Sequence, residues 1–90
     1  MNEKNLREAA AWWQVENENH PSEQNARMSA IFEWLVDVTP SEREEWFENT
    51  GDFEAEMATA VLNGIADDAP EAAVDVLTEM RRAGTINPLA

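Results

Sequence analysis

Thr39 to Glu56 reads TPSEREEWFENTGDFEAE, and its first four residues are the sharpest local signal in the chain. Thr39 at N-cap and Glu42 at N3 spell a capping box, in which hydroxyl and carboxylate satisfy two otherwise orphaned amides. Pro40 then falls at N1, where its missing N–H does no harm. The pattern predicts a short helix over 40–49, ended by Gly51 in a left-handed conformation. On its wheel Trp46 and Phe47 lie inward with Arg43 between them, and Glu42, Glu44, Glu45 and Glu48 fill the other half. Asp52 caps the next helix, and Glu54 and Glu56 fall in its first turn, where the helix dipole tolerates them. The stretch thus predicts a wall of carboxylates anchored from behind by aromatics.

Working toward the N-terminus, the segment 23–38 is the most apolar. Ser22 is a plausible N-cap. Met28, Ile31, Phe32, Leu35 and Val38 share an arc of roughly 120° on a helical wheel. Trp34 and Val36 widen that arc on its two sides, and this should be the central helix. Before it, Pro21 breaks the polar run ENENHPS, which holds His20, a loop histidine with no second His or Cys to join it. A first helix, capped by Asn2 or Asn5, runs to about Asn17 with Leu6, Ala9, Ala10 and Trp13 on one face. Trp12 sits about 100° round from Trp13. It therefore points to the edge of the core, either under a neighbouring loop or out as an anchor for a partner.

Toward the C-terminus, Phe53, Met57, Val61 and Ile65 form a ladder joined by Ala58 and Leu62, predicting a fourth helix over 53–66. Gly64 inside that pattern marks a close approach of another helix or an early end. Asp68 is the expected cap of a last helix over 69–83, with Ala73, Val76, Leu77 and Met80 inward and Gly84 closing it. Glu71, Asp75, Glu79 and Arg82 face out, Arg82 within reach of Glu79. Ile86 and Leu89 of the tail can fold back on the bundle. No strand pattern and no internal repeat occurs. The fold class is all-α: a small single-domain bundle of four longer helices and one short helix over 1–90, with 1–3 and 85–90 as flexible termini.

Ninety residues with 43% apolar content bury a modest core but no large enclosed active site. Nineteen acidic residues against six Lys plus Arg leave a net charge of -13. Nucleic acid and anionic membranes would repel such a surface. No apolar run approaches the roughly 18 residues of a membrane span, and the N-terminus lacks a signal-peptide pattern. The expected location is the cytoplasm. The absence of Cys excludes disulfides and thiolate chemistry. No nucleophile stands with a base, no Gly-rich phosphate loop exists and no calcium loop is spelled. The sequence therefore points to no enzyme, no metal and no cofactor.

What remains is the charge used as a surface. Duplex DNA carries one negative charge per ~1.7 Å of axis, and its binding proteins answer with Lys and Arg. Carboxylates about 5–6 Å apart on a rigid helix can occupy the same groove. In size, charge and helix content the chain resembles the small acidic inhibitors that phages use against host nucleases and CRISPR or restriction complexes. It also resembles the acidic immunity proteins of toxic nucleases. The resemblance is one of class and rests on no motif; the paired tyrosines of colicin-nuclease immunity proteins are missing, since there is no Tyr. The class implies a positively charged, nucleic-acid-handling protein as partner. Glu42, Glu44, Glu45, Glu48, Asp52, Glu54 and Glu56 are the candidate contact residues, with Trp12 as an aromatic anchor. Two other readings compete: a helical adaptor or homodimer using Trp12, Trp34 and Gly64, with charge that only solubilises, and adaptation to high salt.

Overall fold

Most helix starts among the described residues carry a local reason in the sequence. A computed structural model describes residues 2–49 and 54–84. Helix α1 (Glu3–Asn19) is capped by Asn2, whose side chain accepts from the amides of Lys4 and Asn5. Helix α2 (Glu23–Asp37) is capped by Ser22, whose hydroxyl accepts from the Asn25 amide at 3.0 Å. Helix α3 (Pro40–Asn49) begins after Thr39, where half of the expected capping box forms: the Glu42 carboxylate takes the Thr39 hydroxyl rather than its amide. Thr39 Oγ1 accepts from the Glu42 amide at 3.2 Å and donates to the Glu42 carboxylate at 3.0 Å. Helix α4 (Glu54–Ala60) runs on into a π-helical turn, Val61–Ile65, and α5 (Pro70–Arg82) follows. Gly84 ends α5 with φ 78°, the left-handed conformation that a residue without Cβ adopts freely. The architecture is a small all-α domain, with no strand among the described residues, and the helix lengths roughly match the expected four longer and one short.

The α1–α2 pair is the most extensive contact, and α5 and the π turn close over α1. The core is built from the apolar stripe of each helix: Leu6 and Trp13 of α1, Met28, Phe32 and Leu35 of α2, Phe47 of α3, Met57 of α4, Val61 and Ile65 of the π turn, and Val76 and Met80 of α5. Trp13 stacks on Phe32 with ring centroids 6.3 Å apart. The inward set expected for α5 is buried in full, with Ala72 added.

Asn2 and Glu3 form the cap and first turn of α1, and Glu3 reaches Arg43 at 3.6 Å. Three expectations are corrected. Asp68 does not cap α5: Ala69 holds that position without a side-chain bond, and the Asp68 carboxylate accepts instead from Trp12 Nε1 at 2.6 Å. Leu62 is 45% exposed, because the buried stripe of this segment is centred on Met57, Ala60 and Val61 and leaves Leu62 at its margin. The fourth helix is not regular to its end but opens into the π turn. Gly64 within that turn permits a close approach: a Cβ there would stand 2.9 Å from Trp12 Cη2 and Cζ3 and 3.2 Å from Trp13 Cη2. Gly51 as helix end, Asp52 as cap, Phe53 as the first rung of the ladder and the fold-back of Ile86 and Leu89 lie outside the described residues.

Candidate functional site

Helix α3 is held to the bundle by two buried side chains of opposite character. Phe47 is wholly buried, and Arg43 is only 6% exposed. Arg43 donates from Nε to the Leu35 carbonyl at 2.9 Å. That carbonyl lies in the last turn of α2, which lacks a basic residue of its own. One guanidinium therefore meets an orphan acceptor and the negative end of the α2 dipole together, while its Nη2 stands 3.6 Å from Glu3. Trp46 is half-buried, packs edge-on to Phe47 with centroids 5.0 Å apart, and leans on Trp34 of α2 at 6.4 Å. The aromatics behind the carboxylates are thus seated.

Helical geometry sets the order of side chains around α3. At about 100° per residue, Glu44, Glu48, Glu45 and Glu42 follow one another in steps of roughly 40–60°, and Trp46 comes next. The fan begins at the α5 flank, where Glu44 meets Arg82 at 3.5 Å. It ends at the α2 flank, where Trp46 meets Trp34. All four glutamates are exposed. Glu45 and Glu48 form no ion pair with any described residue and make the outermost part of the fan.

The remaining candidate residues fall elsewhere or are engaged. Glu56, in α4, is half-buried and receives Arg27 Nη1 of α2 at 3.1 and 3.3 Å on its two oxygens. Arg27 and Trp34 are seven residues, about two turns or ~10 Å, apart on one stripe of α2. Glu56 therefore sits beside that stripe with its charge offset. Glu54 opens α4, and Asp52 lies outside the described residues. Trp12 is half-buried; its ring covers Gly64 and its N–H is given to Asp68.

At the other edge, Arg82 bridges Glu44 and Glu79 across α3 and α5. Arg82 Nε donates to Glu79 Oε1 at 3.0 Å. The bond from Arg82 holds the Glu79 carboxyl below its ordinary range against the opposing pull of burial. A cleft of about 230 Å³ between these groups is lined by Glu3, Arg43, Glu44, Phe47, Glu79 and Arg82. Its charges answer one another, so it reads as the seam that fixes α3 to α5. No group of three or more His, Asp or Glu converges as metal ligands among the described residues. No helix among them is long and apolar enough to cross a membrane.

Sequence reasoning missed three features of this surface. The capping of α2 by Arg43 was signalled by the basic-free last turn of α2 and by an arginine between two aromatics on the α3 wheel. The Glu44–Arg82 bridge and the Trp34–Trp46 pair join residues far apart in the chain, and a helical wheel carries no such information. Compared with known proteins, the chain matches no family model, no curated protein and no solved structure.

Proposed function

We propose that the protein is a non-enzymatic acidic binding protein that blocks a basic, nucleic-acid-binding protein or nuclease complex by standing in for nucleic acid. The observation that carries this reading is the outer fan of α3. Glu42, Glu45 and Glu48 are exposed on a helix whose opposite face is fixed by buried Phe47 and Arg43. Their backbone positions rise by about 4.5 Å per step along the helix axis. Phosphates of one DNA strand rise by ~3.4 Å, so a Lys- and Arg-lined groove meets charge at a comparable pitch. Exposed charges steer encounter and bind in a salt-sensitive way. Glu44 is partly neutralised by Arg82 and Glu56 by Arg27, so both flank the contact rather than centre it. The partner would be met in the cytoplasm.

Capture from the native host at low and at high salt tests the reading. Capture of nucleases or nucleic-acid complexes at low salt, lost at high salt, is expected. The double reversal Glu45→Lys with Glu48→Lys should abolish it while helicity by circular dichroism stays at the wild-type level. Glu44 is left intact in this variant because a lysine there would face Arg82. Unchanged capture by the double variant would place the site elsewhere. The competing reading, a helical adaptor or homodimer, has the Trp34–Trp46 pair in its favour, with Trp34 42% exposed. A dimer in sedimentation that disappears on Trp34→Ala would favour it.

A further inference from the structure

We infer that Trp34, braced by Trp46, is a stacking platform for an arginine side chain of the basic partner. This rests on the reading of α3 as a surface for a positively charged protein and adds what that reading does not contain, a residue-specific anchor at the edge of the carboxylate fan. Trp34 leaves 42% of a large indole open to solvent beside the carboxylate fan. Trp34 is also not loose: its ring lies against Trp46 at 6.4 Å and 52°, and Trp46 is itself seated on buried Phe47. Tryptophan is among the residue types enriched at binding hot spots.

The occupant follows from charge. Around α3 the residue next to Trp46 is Glu42, four positions earlier, and on α2 Asp37 lies three positions after Trp34. Side chains at these spacings stand about 5–6 Å apart at Cβ, and both carboxylates are exposed. An aromatic face flanked by carboxylates favours a cation over an apolar side chain. Among cations the guanidinium fits best: it is planar, weakly hydrated, stacks on indole and offers several N–H donors in its plane to neighbouring carboxylates. Lysine, a compact and strongly hydrated charge, would gain the electrostatics of the fan but little from the ring. The pair therefore converts a surface selective for positive charge into one selective for arginine.

The test uses acetylated, amidated hexa-arginine and hexa-lysine peptides, titrated into the full chain labelled with ¹⁵N, with the four indole N–H resonances as readout. The expected result is movement of the Trp34 and Trp46 signals on arginine addition while those of Trp12 and Trp13 stay still. The arginine peptide should bind roughly two- to fivefold more tightly than lysine, the size of an exposed cation–π contact. Trp34→Leu, which keeps apolar bulk but removes the π face, should reduce that preference to near unity without changing the lysine affinity. Equal affinities in wild type, or an unchanged preference in Trp34→Leu, would overturn the inference. If both peptides still require Glu45 and Glu48, the charge reading survives that result. Failure of both peptides to bind would end both readings. A dimer that shields Trp34 would show a second copy to be the occupant and overturn the arginine platform alone.

Discussion

At the scale of single residues, the contact between Gly64 and Trp12 decides how α1 meets the π turn. An added Cβ at position 64 would lie 2.9 Å from two ring carbons of Trp12. That ring cannot swing away freely, because its N–H is tied to Asp68 at 2.6 Å and its neighbour Trp13 is buried. Alanine would gain up to about 1 kcal/mol over glycine in a helix, but overpacking typically costs about 1–3 kcal/mol. Gly64→Ala should therefore destabilise by about 1–2 kcal/mol net, a fall in Tm of roughly 4–8 °C per kcal/mol for a domain of this size. A urea or thermal melt checks it, and combining it with Trp12→Ala should remove most of the cost. The sequence had already singled out both residues, yet it could not join them. Gly64 announced a close approach without naming the visitor, and Trp12 announced an edge position without naming what it covered.

The capping box shows why element boundaries read well at α3: cap, proline and glutamate lie within four residues and need no tertiary knowledge. Asp68 shows the opposite. By sequence it was a sound cap for α5, but a tryptophan donor fifty-six positions away claimed its carboxylate, and Pro70 at the first helical position was enough to start the helix. The π turn was equally invisible: its Gly64 lies against two indoles of α1, a contact that composition does not announce. Between α3 and α5 the governing contact is the Arg82 bridge, and it yields a pH dependence. Glu79 has its carboxyl lowered from the ordinary value of 4.5 by the bond from Arg82. A lowered carboxyl contributes stability that is present in full above that ordinary value and lost as pH falls through the folded one. Stability curves of the wild type and Arg82→Gln should therefore separate above about pH 4.5 and converge in stronger acid. Denaturant melts across that range give the comparison, and a constant gap down to strong acid would assign the role of Arg82 to packing alone.

At the scale of the whole molecule, a net charge of -13 on ninety residues makes the native state repel itself. Interhelical ion pairs such as Arg27–Glu56 and Arg82–Glu44 offset part of this. Surface pairs of this kind are each worth at most about 1 kcal/mol, so repulsion should dominate. Raising NaCl from about 10 mM, where screening extends over ~30 Å, toward about 1 M, where it acts within ~3 Å, should raise Tm by several degrees. A flat or falling Tm would mean that the pairs outweigh the surplus. The tryptophans add a consequence for observation in solution. They fall into two couples, Trp12 with Trp13 at the α1–π seam and Trp34 with Trp46 across α2 and α3. In a chain without tyrosine, ultraviolet emission comes mainly from these indoles, and each couple sits in a different polarity. Sheltered Trp13 should emit toward the blue and resist soluble quenchers, whereas Trp34 should emit toward the red and yield to them, so unfolding of the interior and occupation of the outer surface register as separate colours of one spectrum.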